Sequence, residues 1–375
     1  MRLYDTARRD VVAFEPGEIV TIYTCGITPY DAEHIGHAAT YLAYDVLRRR
    51  LLDAGRRCRM VRNVTDVDDD ILKKSRELGV FYLDLAAEEM ARFDENMASL
   101  NLLPAESEPR ATGAIPDILT FVDTLLAQGQ AYQAAGAVYF DVSSSPAFGS
   151  LSGLGRDEML RLAAENGGRP DDPAKRDPLD VVLWQPSIPG EPWWESRWGT
   201  GRPGWHVECA AISTRELGRT IDLHGGGRDL VFPHHECEAA QAAAVTGQPL
   251  ARHWMHTGLV GLAGEKMSKS LGNLVFVSDL LKEWDAAVVR VALLGQHYRA
   301  DWEWSDALLP EATERLATWR AAGEGEGALR ETRSALDDDL DAPRALDEID
   351  KAARSGQGVS RALDLLGVAP NRSSA

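Results

Sequence analysis

The apolar positions of this chain repeat with two different periods. The run IVTIYTC (19–25) is β-branched and apolar and predicts a strand. A turn of Gly, Pro and Asp follows, then AATYLAYDVLRRRLLDAG (38–55). Its residues Leu42, Val46, Leu47 and Leu51 recur at helical spacing, and Gly55 suits the helix end. CRMVRNVTD (58–66) predicts the next strand. Strand–helix–strand of this length is a βαβ unit, so the expected fold is α/β, a Rossmann-type doubly wound parallel sheet.

Helical periodicity then runs from about 82 to 135, and TIDLHGGG (220–227) predicts a further strand ending in glycines. The stretch 143–204 is rich in Gly, Pro, Ser and Trp and reads as inserted connective sequence. The last 75 or so residues carry Leu, Ala and charges at helical spacing, which predicts a small C-terminal helical domain. The expected organisation is a catalytic domain over 1–255 with an insertion at about 110–204. A junction over 256–300 and a helical domain over 301–375 follow. There is no internal repeat, and the tail NRSSA is expected to fray.

Composition narrows the class. Hydrophobic residues make up 44% and charged residues 26% of 375, as in globular proteins. No apolar run approaches transmembrane length, and MRLYDTARRD lacks the apolar stretch of a signal peptide, so the expected location is the cytoplasm. The four cysteines, Cys25, Cys58, Cys209 and Cys237, are scattered, which favours thiols or metal ligands over disulfides. The net charge is -18. Polyanion binding is usually driven by neutralising phosphates on a basic face, so a large nucleic-acid footprint is disfavoured.

Two segments carry candidate chemistry. His34-Ile35-Gly36-His37 lies directly before the first predicted helix, where unpaired N–H groups and the helix dipole favour an anion. The two imidazoles can donate to phosphate oxygens as charge builds in a transition state. An isolated His-Ile-Gly-His also reads as two solvent-facing loop histidines. Lys266-Met267-Ser268-Lys269-Ser270, between Gly264 and Gly272, is a compact cationic loop able to clamp a leaving pyrophosphate. Alone it also reads as a solvated basic turn. Together, in this order, the pair points to activation of a carboxylate by ATP.

These segments carry a family resemblance. CGITPYD (25–31), HIGH (34–37), RNVTDVDDDI (62–71), GRPGWHVECAA (201–211), HGGGRDLVFPHHECE (224–238) and GEKMSKSLGN (264–273) occur in that order. The chain resembles the class I aminoacyl-tRNA synthetase-type adenylate-forming enzymes, and within them the cysteine-specific branch. The resemblance implies ATP, acting with Mg²⁺, and a bound Zn²⁺, one per chain. It makes His34, His37, Lys266 and Lys269 the catalytic residues. It places ATP and the cysteinyl-adenylate against Cys25, Gly26, Ile27 and Thr28, and against Thr40. Asn63, Val64 and Thr65 follow, then Trp205, then Gly227, Arg228 and Asp229, with Val260 last.

The zinc ligands implied are Cys25, Cys209 and His234, with Glu238 as a candidate fourth. Their chemistry agrees, since sulfur, imidazole and carboxylate suit Zn²⁺. His234 and Glu238 share a face if VFPHHECEAAQAA begins a helix. A lone cysteine is more often a small buried hydrophobe, the reading kept for Cys58; Cys237 abuts the predicted site without matching the pattern. Trp205 is a candidate wall of the amino-acid pocket; the bland alternative is a core tryptophan.

The acceptor of the cysteinyl group has two readings. One is tRNA. The other is the amine of glucosaminyl-inositol, as in the mycothiol-biosynthesis branch of the family, with an amide product and release of AMP and pyrophosphate. Only 105 residues follow Ser270, short for an anticodon-reading module, and residues 302–375 carry 9 Lys+Arg against 15 Asp+Glu. The wording ITPYDAEHIGHAATY (27–41) and HYRADWEWSD (297–306) also resembles the ligase branch. The small-molecule acceptor is therefore preferred, with L-cysteine and ATP as the other substrates, no nucleic-acid or membrane partner, and a monomer. ENGGRP (165–170) departs from the branch pattern at Asn166 and Arg169, which removes support for an acceptor role there. A third reading is a non-catalytic sensor of cysteine or nucleotide; intact His34, His37, Lys266 and Lys269 argue against it.

Overall fold

The computed structural model describes residues 1–30, 34–267 and 272–368. A hairpin of β1 (Arg2–Asp5) and β2 (Asp10–Ala13) precedes β3 (Ile19–Ile27), α1 (Ile35–Asp53) and β4 (Arg57–Val64). Next come α2 (Asp69–Leu78), α3 (Tyr82–Ser99) and α4 (Ile115–Ala127). A four-stranded antiparallel unit follows, built from β5 (Ala131–Ala134), β6 (Ala137–Phe140), β7 (Val181–Gln185) and β8 (Arg202–Pro203), with α5 (Arg156–Glu165) between β6 and β7. The chain then returns through α6 (Trp205–Leu217), β9 (Leu223–Gly227), α7 (Glu236–Thr246) and β10 (Trp254–Thr257).

The central sheet has the order β10-β9-β3-β4 and every pair is parallel. Strand β3 supplies both cores because successive side chains point to opposite faces. Val20 and Ile22 pack with Leu42, Val46 and Leu47 of α1. Tyr23 and Cys25 pack with Val207 and Ile212 of α6. Helices therefore cover both faces, as the doubly wound expectation requires.

Beyond β10 lie β11 (Val260–Leu262), β12 (Glu265–Lys266), α8 (Val277–Glu283), α9 (Ala286–Leu294) and β13 (Trp302–Glu303). Four helices close the described chain: α10 (Leu308–Ala322), α11 (Leu329–Leu336), α12 (Ala342–Arg354) and α13 (Ser360–Leu365). Arg290 of α9 fastens this end to α1. It is buried, pairs with Asp45, and donates to the carbonyls of Leu366 (2.8 Å) and Leu100 (2.8 Å).

Two expectations change. The first helix begins at Ile35, not 38, so His34 is its N-cap residue and His37 sits in its first turn. Gly36 is accommodated there, and the His37 amide donates to the His34 carbonyl over 3.0 Å. The helical stretch read over 82–135 ends at Ala127. Residues 131–134 form a strand instead, because Ala135 and Gly136, both at positive φ, turn β5 back onto β6.

Candidate active site

The parallel register brings the carboxyl ends of the central strands level, where ligands bind in open α/β sheets. Thr24 pairs with Gly225, and Gly227 with Thr257. Cys25 then emerges on the α6 side of β3. Gly26 must approach β4 closely: a β-carbon there would lie 1.6 Å from the Asn63 carbonyl oxygen. The Gly26 amide donates to Asn63 Oδ1 over 2.8 Å, and Asn63 Nδ2 donates to Thr65 Oγ1 over 3.1 Å.

Four side chains converge behind this strand end. Cys25 from β3, Cys209 from α6, His234 from the turn Val231–His235 and Glu238 from α7 are all buried. Their ligand atoms all lie within 4.8 Å of one another. Glu238 Oε1 is 3.1 Å from Cys25 Sγ and 2.8 Å from His234 Nε2. Helix α7 itself starts at Glu236, yet the turn before it still carries His234 onto the face of Glu238.

A second layer orients these groups. Glu238 Oε2 is 2.9 Å from His224 Nε2. His234 Nδ1 is 2.9 Å from His206 Nδ1. Trp205 stacks on His234, with ring centroids 4.2 Å apart. Burial holds His206 down to about pKa 3 and so neutral; a neutral His234 protonated at Nδ1 would donate to the His206 Nδ1 lone pair. That tautomer leaves His234 Nε2 free to bind a metal.

The electrostatics fit a cation. Burial opposes charge on His234, yet Glu238 and Cys209 prevail and raise it to about 10. Burial also raises Glu238, but His234 and His224 hold its carboxyl well below the usual range. Burial and the neighbouring Cys209 push the Cys25 thiol up. Cys209 comes down to about 7, burial being outweighed by its hydrogen bond with Cys25 and by His234. Two sulfurs, an imidazole and a carboxylate in a dry pocket form a donor set suited to Zn²⁺. Cys25, His224 and His235 form a second such group, sharing Cys25.

Residues 12–314 match the family described as tRNA synthetases class I (C) catalytic domain. A protein of Streptomyces griseus, named L-cysteine:1D-myo-inositol 2-amino-2-deoxy-alpha-D-glucopyranoside ligase, is 49% identical over 98% of this chain and 95% of its own. The protein of that name from Thermobifida fusca is 49% identical over 96% and 90%. The chain belongs to this cysteine ligase family. The Mycobacterium tuberculosis methionyl-tRNA synthetase, solved with methionyl-adenylate, superimposes with a TM-score of 0.66. It covers 90% of this chain and 82% of its own at 18% identity, a likeness of fold.

Within this ligase fold the other predicted residues take several positions. His34 and His37 stand together at the start of α1, ring centroids 4.0 Å apart. Thr40 donates to the Gly36 carbonyl and meets Thr257 Oγ1 at 3.0 Å. Thr28 donates to Asp68 over 2.9 Å. Ile27, Val64 and Thr65 are buried at the strand ends, and Val260 is buried beside them. Arg228 and Asp229 are exposed beyond Gly227, and Arg228 pairs with Asp301 at 2.8 Å. The Met267 amide donates to Val260 over 3.0 Å. Lys266 ends β12, whereas Ser268, Lys269 and Ser270 lie outside the described residues.

Asn166 and Arg169 are exposed. Asn166 caps α5 through the Leu162 carbonyl, and Arg169 faces Asp172. Cys237 is buried but belongs to neither ligand group, and Cys58 is half-buried rather than buried. Sequence reasoning missed His224, His235 and His256. The available signals were the His before the glycine triplet and the second His of Pro-His-His.

Proposed function

We propose that the chain is an ATP-dependent, AMP-forming ligase that joins L-cysteine to the amine of glucosaminyl-inositol, a step of mycothiol biosynthesis. The buried Cys25–Cys209–His234–Glu238 cluster carries this reading, because it stands at the carboxyl end of β3, the strand that leads into the His34–His37 helix start. Near-full-length similarity to ligases named for that acceptor supports the choice of amine over tRNA.

Cys25, Cys209 and His234, with Glu238, would hold one Zn²⁺, which supplies a thiophilic site that accepts the cysteine thiolate and rejects serine's hydroxyl. Trp205, stacked on His234, walls that pocket. Gly26 and the strand ends at Ile27–Thr28 and Asn63–Thr65 bring backbone against the adenylate. Gly227, Arg228 and Asp229 border it from β9, with Thr40 and Val260 opposite. Cysteine's carboxylate oxygen attacks the α-phosphorus of ATP and the bond to pyrophosphate breaks. His34 and His37 donate to the transferring phosphate, and Lys266 and Lys269 neutralise the departing pyrophosphate with its Mg²⁺. The neutral amine then attacks the cysteinyl carbonyl, AMP leaves with the bonding pair, and the amine nitrogen loses a proton to solvent.

The need for ATP and reduced cysteine supports a cytoplasmic setting, and the net charge of -18 supports a small-molecule acceptor and a monomer without nucleic acid. Among the described residues no helix is long and apolar enough to cross a membrane. ATP–pyrophosphate exchange without acceptor tests the first step. Exchange dependent on L-cysteine and absent with L-serine is the expected result. Equal exchange with both amino acids, or none, overturns the reading.

A further inference from the structure

A row of side chains, half-buried at Thr6 and buried from His256 inward, runs into the candidate metal cluster from the N-terminal hairpin. Thr6 follows β1, and its amide donates to the Trp254 carbonyl of β10 over 2.9 Å. Thr6 Oγ1 lies 2.7 Å from His256 Nδ1. His256 Nε2 lies 2.7 Å from His235 Nδ1, and His235 Nε2 lies 3.2 Å from Cys25 Sγ. His235, His256 and Cys25 are buried.

We propose that Thr6, His256 and His235 form a one-way hydrogen-bond relay that positions Cys25 Sγ for metal binding. The inference rests on reading Cys25 as a ligand.

Proton counting fixes the direction. As a metal-bound thiolate, Cys25 has no proton and must accept from His235. As a thiol, its one proton has acceptors within the cluster, Glu238 Oε1 at 3.1 Å among them, which leaves its sulfur to accept from His235. His235 is therefore the Nε2–H tautomer in both states, and its Nδ1 is a lone pair. That lone pair requires Nε2–H on His256, whose Nδ1 then accepts from the Thr6 hydroxyl. Both rings are buried, and their facing nitrogens need one N–H and one lone pair between them. Trp254 lies parallel to His256, ring centroids 6.3 Å apart, and 5.5 Å from His235. A donor aimed at a ligating sulfur fixes the direction of its free lone pairs and withdraws electron density from it.

The test uses the full-length protein loaded with Co²⁺ in place of Zn²⁺. The readouts are the thiolate-to-cobalt charge-transfer band and the rate of metal loss to a chelator. His235→Leu removes the donor; His235→Gln keeps an N–H near the Nε2 position. Thr6→Val and Thr6→Ser repeat the comparison at the far end, where folding is less at risk. His235→Leu is expected to move the band to longer wavelength and speed metal loss by about 10- to 100-fold. His235→Gln should restore most of both. Thr6→Val should shift the band in the same direction by less, and Thr6→Ser should not. Unchanged band and release in His235→Leu and Thr6→Val would overturn the relay. Two tightly held metals per chain would also overturn it, by making His235 a ligand. A wild-type protein with no thiolate–cobalt band would overturn the ligand assignment itself, a separable outcome.

Discussion

The amide of Ile35 donates to the carbonyl of Val275 over 2.9 Å, and His34 pairs with Phe276 as an antiparallel bridge alongside. The start of α1 is thereby tied to the chain just beyond the Gly264–Gly272 segment. The two candidate phosphate-binding segments, far apart in sequence, are thus joined through Val275 and Phe276, which follow the second. They are expected to act as a unit. Lys269→Ala and His34→Ala should each lower cysteine-dependent ATP–pyrophosphate exchange by about 10²- to 10³-fold. The double variant should lose less than the product of the two. Near-normal exchange in Lys269→Ala contradicts the clamp.

Cys209→Ser replaces a sulfur ligand by a hydroxyl, a poor partner for Zn²⁺. Bound zinc, measured by atomic emission on the purified protein, should fall from about one per chain toward zero. Preference for cysteine over serine should drop by about 100-fold or more in exchange assays. Retention of both means the discriminating group lies elsewhere.

Arg290 is buried and answers Asp45 as well as carbonyls at residues 100 and 366. Arg290→Met leaves Asp45 in the interior with Arg49 as its remaining cation and takes this donor from the Leu100 and Leu366 carbonyls. Breaking such a pair costs about 3–5 kcal/mol, visible as a lower urea midpoint. A midpoint unchanged by Arg290→Met contradicts the role given to this tie.

Asp68 caps α2 through the Ile71 amide at 2.9 Å and receives the Thr28 hydroxyl. Burial raises its pKa from 3.8 to about 6, against the lowering by those two donors. The folded state therefore binds the proton more tightly than the unfolded chain. Stability from this group is fully present below pH 3.8 and declines as pH rises through about 6. Asp68→Asn keeps the capping oxygen and removes the titration. Between about pH 4 and 6 the wild type should lose up to about 3 kcal/mol relative to the variant. Parallel pH–stability curves would contradict the shift.

The frame of this fold is legible where periodicity is strong. Leu42, Val46, Leu47 and Leu51 announce α1, and the β-branched run at 19–25 announces β3, because each buries one face. Ala131–Ala134 misleads for a physical reason. Alanine favours helix, but pairing with Ala137–Phe140 across a tight turn decides the outcome. The cluster is illegible from spacing. Cys25 and Cys209 come from a strand and a helix 184 positions apart, and the packing of α6 on β3 sets them together; family resemblance names them without explaining them. His224, His235 and His256 escape notice because their role exists only in three dimensions. Each binds a partner on another element or across a turn.

The most direct test is a competition for the activated cysteine. Purified protein receives ATP and labelled L-cysteine, with glucosaminyl-inositol in one reaction and tRNA in another. The account predicts an amide of cysteine with the amino-sugar, one AMP per product, and no label on tRNA. Cysteinylation of tRNA with no amino-sugar product would contradict it.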